Sequence, residues 1–264
     1  MSWLRNETVN PNPASLKCID EVGKQIGPSD VNLTEWYRNY LRDHRVRLGF
    51  DIDLVSRYAP KGAKVLEFGS VPPLLTGALR KAGYDICGVD IAPERFQAAL
   101  ALLGVAVLKC NVELERLPFP DSSFDLILFN EIFEHLRINP IFTLGEAFRV
   151  MKPGGRILLS TPNLRSLGGL ISFLVRGRAI SCGGSIFDEY TKLRNLGHMG
   201  HVREYTSREV CEFLCELGFR VENVHYRGGY NSLRKTVASN LLVSLRPFFS
   251  VVARKNGLGR SQSV

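Results

Sequence analysis

The chain has 264 residues, 45% of them hydrophobic, and a formal charge of +8. That is apolar material for one sizeable core, so one elaborated domain is expected rather than two. No apolar run approaches the roughly 20 residues of a membrane span, MSWLRNETVNPNP holds no signal-peptide core, and six cysteines without paired zinc spacing read as the reduced thiols of a cytoplasmic protein.

Residues 1–30 carry no clear period and are expected to form a loosely packed arm. Asn32, with Glu35 three residues on, has the spacing of a capping box. The helix it would start carries Leu33, Trp36, Tyr37, Tyr40 and Leu41 as one apolar stripe, and 1–59 together should pack on the core. From Lys64 strand and helix alternate. KVLEFG reads as a short buried strand and LLTGALRKAG as a helix capped at Gly83. DICGVD is a second strand, and PERFQAALALLG a helix with Pro93 in its first turn. VAVLKC is a third strand. FDLILFN is a fourth, apolar nearly throughout as a strand covered on both faces should be. IFTLGEAFRVMKPGG is expected as a helix stopped by Pro153 and Gly154, and RILLSTPN as the fifth strand. Residues 163–205 interrupt the alternation as a lid insertion. Its apolar LGGLISFLVRGRA is either ordinary core or a wall for an apolar acceptor. SREVCEFLCELGF (helix), RVENVHYRG (strand), a helix near 231–245 and FFSVVARKN (strand) complete a domain over 60–256, with 257–264 a disordered tail. The fold class is α/β: a Rossmann-like, doubly wound, mostly parallel seven-stranded sheet with helices on both faces.

Ligands of such sheets bind beyond the carboxyl ends of the strands. After the first strand comes GSVPP, with one glycine, Gly69. After the second comes Asp90, able to accept two hydrogen bonds from a ribose diol. Asn111 and Val112 follow the third, and Asn130 the fourth. Glu131, Glu134 and His135 stand at i, i+3 and i+4, which on a helix is one face. Downstream, GHMGHVREY offers His198, His201 and Glu204. From Arg227 to the end there are seven basic residues and no acidic one. That stretch is either a solvated basic face or a surface for phosphate, with peripheral contact to an anionic membrane as one form. No aromatic-plus-basic pattern of an RNA-binding module accompanies it, so nucleic acid is not the expected partner.

VLEFG, GVDIAP, CNVELERLPFPDSSFDLILFNEIFEHL and FRVMKPGGRILLSTPN, in that order, resemble the class I S-adenosylmethionine-dependent methyltransferases. Within them the chain looks like the group holding ubiquinone-biosynthesis O-methyltransferases and methyltransferases of glycan and lipid pathways. The resemblance covers about residues 60–226. A nicotinamide dehydrogenase would share the first strand, loop and acid, but not LPFPDSSFD, EIFEHL or MKPGGRILLSTPN. It implies S-adenosylmethionine as cofactor, with Glu67 and Gly69 bordering the methionine part and Ser70 among the contacts. Asp90 would hold the ribose, Ile91, Asn111 and Val112 would meet the adenine, and Asn130 would lie under the methionine moiety. The sequence departs from the family at Asn111, where aspartate is usual, and at Val71 and Pro73, where glycines are usual. S-adenosylmethionine carries no pyrophosphate, so GSVPP is expected as a rigid alternative loop, with a decayed site as the competing reading.

Glu-x-x-Glu-His with a later histidine also resembles the small-RNA 3′-end 2′-O-methyltransferases. That implies Mg²⁺ or Mn²⁺ on Glu131, Glu134, His135 and His201. A metal-free pocket with His135 or His201 as base, and purely structural roles, stand beside it; catalytic roles fall to His135, His201 and Glu131. The function expected is O-methylation of a small-molecule or lipid- or glycan-linked acceptor. A metal-dependent RNA 2′-O-methyltransferase and a non-catalytic binding protein of the same fold are the alternatives.

Overall fold

A computed structural model describes residues 11–196, 199–230 and 233–256. His198 and the tail from 257 lie outside the described residues. The strands are β1 (Lys64–Phe68), β2 (Asp85–Asp90), β3 (Val107–Lys109), β4 (Phe124–Asn130), β5 (Met151–Pro162), β6 (Phe219–Arg227) and β7 (Phe248–Lys255). They form one seven-stranded sheet in the order β3-β2-β1-β4-β5-β7-β6. β1 runs parallel to β2 and to β4, and β2 parallel to β3, while β6 and β7 pair antiparallel. The order reverses between β1 and β4, the switch point at which such sheets bind ligands. Leu126, Ile127, Leu128 and Phe129 of β4 are all fully buried, which accounts for a strand with no apolar–polar alternation.

The chain divides into two compact units, one comprising the described residues up to Leu128 with Arg149–Arg156, the other Phe129–Phe148 with the described residues from Ile157 on. In the first unit the helices are α1 (Pro13–Gln25), α2 (Thr34–Tyr58), α3 (Leu74–Lys81) and α4 (Gln97–Leu103). α1 replaces part of the expected loose arm. Asn12 caps it by accepting from the Ala14 N–H, Pro13 opens it, and Ser15, Ile19 and Val22, at i, i+4 and i+7, line its buried face. α2 starts two residues later than expected. Asp30, not Asn32, supplies the capping oxygen, to a short 3₁₀ turn over Val31–Leu33, and Leu33 ends that turn without a side-chain cap. Of the expected stripe only Tyr37 is buried, its hydroxyl donating to Gly23 O at 3.1 Å; the core contacts of α2 come further on, from Leu48 to Val55.

The remaining helices are α5 (Pro140–Val150), α6 (Leu167–Arg176), α7 (Ile186–Leu196), α8 (Ser207–Glu216) and α9 (Leu233–Leu241). α5 ends at Val150, ahead of Pro153, because Met151 already begins β5; Gly154, at φ 78°, bends that strand. α8 has a full capping box between Thr206 and Glu209. In the second unit, among the described side chains of the basic C-terminal stretch, Arg227 and Arg246 are buried and Arg254 and Lys255 half-buried. Arg227 is buried against Glu131, Arg246 is buried with its guanidinium donating to Tyr226 O, and Lys255 donates to Phe148 O at 2.6 Å. Among the described residues no helix is long and apolar enough to cross a membrane.

Candidate functional site

In the first unit, β1 leads into the GSVPP loop through Gly69, whose φ of 66° is left-handed and suits glycine. The loop then spends its N–H groups on β2. Gly69 N donates to Val89 O at 2.8 Å, Ser70 N to the same oxygen at 3.4 Å, and Val71 N to Asp90 Oδ2 at 3.1 Å. Pro72 and Pro73 have no N–H, and Leu74 N, at the start of α3, turns back to Pro72 O. No N–H from 69 to 74 is left to cradle a phosphate, which counts against a pyrophosphate-bearing dinucleotide here. The loop lies so close over β2 that a Cβ at Gly88 would collide with the Ser70 side chain, whose hydroxyl donates to Glu67 O at 2.9 Å. Gly88 thus belongs to the site's framework, and only its place before Val89 and Asp90 marked it in the sequence.

Asp90 takes Ala92 N on Oδ1 at 2.9 Å and Val71 N on Oδ2 at 3.1 Å. Each oxygen keeps a lone pair, so a vicinal diol fits the carboxylate as the loop presents it. Burial raises its pKa, against the pull of the two N–H groups. Ile91 and Val112 are half-buried, as apolar groups flanking a ligand ring would be. Asn111 Oδ1 accepts from Glu113 N at 3.2 Å and retains a second lone pair. Glu67 is buried and takes the Thr76 hydroxyl of α3; burial foremost pushes its carboxyl up to about 8. A cleft of about 430 Å³ between Tyr58–Ala63, Asp125 and Lys152–Arg156 sits at the amino ends of β1 and β4 and includes none of these residues.

In the second unit the chain leaves β4 by an abrupt turn. Glu131 adopts φ 55°, unusual for a residue with a side chain, and a 3₁₀ turn over Phe133–His135 follows. Glu131, Glu134 and His135 therefore do not share a helical face. Glu131 is held by Arg227, which reaches its Oε1 at 2.9 Å and donates through Nε to Ser250 Oγ at 3.0 Å. Ser160 Oγ stands 3.0 Å from Glu131 Oε1 and 3.1 Å from Asn130 Oδ1. A hydroxyl has one hydrogen and cannot donate to both, and Asn130 Nδ2 is buried with no partner. Either orientation of the Asn130 amide leaves one end open for a ligand.

Glu134, His135 and His201 come together, one ligand atom from each lying within 4.8 Å of the others; Glu131 is not among them. Thr161 Oγ1 donates to Glu134 Oε2 at 2.9 Å, and Glu134 Oε1 is 3.9 Å from His135 Nε2. Gly200 O, 3.0 Å from His135 Nδ1, fixes the proton on that nitrogen and leaves Nε2 as a lone pair. Burial, reinforced by Glu131, raises Glu134 to about 8; burial, reinforced by His201, lowers His135 to about 4. Burial opposes the charge on His201 too, but Glu204, 3.4 Å from its Nδ1, and Glu134 outweigh it and raise its pKa. Glu204, named in the sequence only as a neighbour, also takes Ser181 N at 2.6 Å and Cys182 N at 3.2 Å, tying the loop after α6 to His201. Once Glu134 and His201 release their protons, one carboxylate and two imidazoles, each imidazole with its Nδ1 engaged by an outer oxygen, fit the donor set of a divalent cation.

A family model described as a methyltransferase domain matches residues 35–224. The chain is 30% identical over 189 residues to an uncharacterized protein, MJ1123, of Methanocaldococcus jannaschii, covering 70% of this chain and 78% of that protein. It is 30% identical over 117 residues to a ubiquinone biosynthesis O-methyltransferase of Cereibacter sphaeroides (43% of this chain, 47% of the relative). A malonyl-[acyl-carrier protein] O-methyltransferase of Erwinia billingiae is 34% identical over 107 residues (40% and 42%), so the match spans about half the length of these two O-methyltransferases or less. Among solved structures, a SAM dependent methyltransferase from Aquifex aeolicus has a TM-score of 0.54 at 20% identity, covering 89% of this chain and 97% of that one. One from Archaeoglobus fulgidus has a TM-score of 0.54 at 18% identity, covering 82% and 99%. At these identities the two structures speak for the fold.

Proposed function

Since the chain belongs to the class I S-adenosylmethionine-dependent methyltransferases, we propose that it methylates an oxygen of a small or lipid-linked acceptor, with Glu134, His135 and His201 receiving the acceptor hydroxyl. The observation that carries this reading is the convergence of those three side chains, with His135 Nε2 held open. S-adenosylmethionine supplies, when bound, a methyl group on a sulfonium. In the first unit, Asp90 would accept from the ribose hydroxyls and Ile91, Asn111 and Val112 would border the base; in the second, Asn130 has an amide end without a partner that would suit the methionine part.

Transfer to a hydroxyl forms an O–C bond, breaks an S–C bond and releases the hydroxyl proton. His135 remains neutral down to about pH 4, so Nε2 is available at neutral pH to accept a hydrogen bond from that hydroxyl or a coordinate bond. Positioning of the hydroxyl is the main task, because the sulfonium is already a strong methyl donor. The same three residues would hold a divalent ion; two imidazoles with one carboxylate suit Mn²⁺ better than Mg²⁺, which favours all-oxygen shells. Such an ion would supply Lewis acidity toward the acceptor hydroxyl.

The test is formation of S-adenosylhomocysteine against pools of phenolic and lipid-linked hydroxyl acceptors, with EDTA, then with added Mn²⁺, in the native chain and in His135→Gln and His201→Gln. The expected product is an O-methyl ether or ester, with kcat lowered about a hundredfold or more in both variants while cofactor binding is kept. Methylation on nitrogen, or full activity in both variants, would overturn the proposal.

A further inference from the structure

α6 is packed inside out. The residues it buries are Gly169 and Ser172, while Ile171, Phe173, Leu174 and Val175 are exposed, Leu174 at 79% and Val175 at 76%. This is an ordered helix rather than a frayed segment. Ser166 caps its start by accepting from Gly169 N at 3.0 Å, and Gly177, at φ 63°, closes its end on Phe173 O. The inner side is tight, since a Cβ on Gly169 would run into Leu164 O. A large apolar residue therefore cannot turn inward at Gly169; Leu167 and Leu170 are half-buried, and Ile171, Phe173, Leu174 and Val175 remain outside. Tyr230 extends the surface: its hydroxyl takes Gly168 N at 3.2 Å and donates to Leu245 O at 2.8 Å, tying the start of α6 to the segment that follows α9, whose Leu241 and Leu242 are also exposed. Exposed apolar surface of this extent on a folded unit marks a contact with another phase or partner.

The charge around it selects the occupant. Seven consecutive exposed residues, Phe173 to Ala179, read FLVRGRA, and no acidic residue stands between Glu146 and Asp188; of these two acids Asp188 lies near enough to Arg178 to feel its charge. Two arginines at the C-terminal end of a short helix with Phe, Leu and Val beside them match an interfacial helix: the apolar side chains enter the acyl boundary and the guanidinium groups meet anionic headgroups. A second copy of this chain fits less well, because α6 carries no acidic residue to meet Arg176 and Arg178 of the other copy. The geometry points to α6 as a docking element for an anionic lipid surface. This goes beyond the methyl-transfer reaction, and it places the membrane contact on α6 rather than on the C-terminal cations, of which Arg227 and Arg246 are buried.

The test is co-sedimentation of the full chain with vesicles of phosphatidylcholine, alone or mixed with phosphatidylglycerol. The native chain should sediment with the mixed vesicles, not with phosphatidylcholine alone, and NaCl should release it. Arg176→Gln with Arg178→Gln should weaken partition about thirtyfold, and Leu174→Ser with Val175→Ser about tenfold or more, with S-adenosylmethionine binding unchanged in both. A native chain that stays in the supernatant, or variants that partition as the native chain does, would overturn the proposal. So would a native dimer that Leu174→Ser with Val175→Ser splits while lipid binding is absent. If a variant loses its native circular dichroism, the salt titration of the native chain decides: salt-independent partition counts against the proposal.

Discussion

Asp90 serves two masters, the loop that hydrogen-bonds to it and the diol it would accept. Asp90→Ala removes the anchor of Val71 N and Ala92 N as well as the ligand contact, and should weaken S-adenosylmethionine binding about a hundredfold. Asp90→Asn keeps one acceptor oxygen and should fall between, which calorimetry can resolve. Glu67 makes a prediction of a different kind. Its carboxyl moves from an ordinary value of 4.5 to about 8 on burial, so the folded state holds a proton that the unfolded chain has already released. The stability this contributes is full below about pH 4.5 and is lost as pH rises through about 8. Glu67→Gln keeps an acceptor for the Thr76 hydroxyl and removes the titration. It should flatten the pH dependence and gain up to a few kcal/mol on the native chain above pH 8, at ~1.4 kcal/mol for each tenfold difference in proton affinity between folded and unfolded chain. Denaturant midpoints measured from pH 5 to 9 check this, and parallel curves for the two proteins would refute it.

At the scale of elements, the loop after β1 and the turn after β4 carry the most weight. The loop is built from donors directed at β2, so its rigidity does not come from glycine. Val71→Gly with Pro73→Gly should leave S-adenosylmethionine affinity within about threefold, since neither side chain supplies a donor to the loop; a gain of tenfold or more would mean that the native loop is a weakened version of a glycine-rich one. Arg227 joins β6 to the turn after β4. Arg227→Met leaves the half-buried Glu131 carboxylate without this cation and should cost about 2–3 kcal/mol, with Glu131→Gln in the same chain recovering part of it. Much of this framework was legible in the sequence. KVLEFG, DICGVD and FDLILFN located strands within a residue or two, most plainly the last, where burial on both faces leaves an unbroken apolar run from Leu126 to Phe129. The helical face for Glu131, Glu134 and His135 was not there to be found. Spacing of i, i+3 and i+4 describes a face only if the backbone is helical, and Glu131 leaves β4 at positive φ. The inward turn of Arg227 was equally invisible, since a run of cations in the chain does not say which strand face each occupies.

For the whole molecule, the fold class was readable from the order of motifs, and the strand order β3-β2-β1-β4-β5-β7-β6 agrees with it. The start of the chain was less readable: α1 buries only Ser15, Ile19, Val22 and Gly23, two of them large and apolar, too weak a period to stand out beside Asn12 and Pro13, which were its clearest signal. The formal charge of +8 proved to be a poor guide to surface, because several of the cations that produce it in the last strands are used as internal hydrogen-bond donors. Membership of the methyltransferase family and the consumption of every loop N–H by β2 lead to one selective expectation for the intact chain. It should take a nucleoside with a free diol and no pyrophosphate. Isothermal titration of S-adenosylmethionine and of NAD⁺ into the full-length protein decides the matter. Saturable binding of S-adenosylmethionine at one site per chain, with no heat from NAD⁺, is the expected outcome; binding of NAD⁺, or none of S-adenosylmethionine, would contradict it.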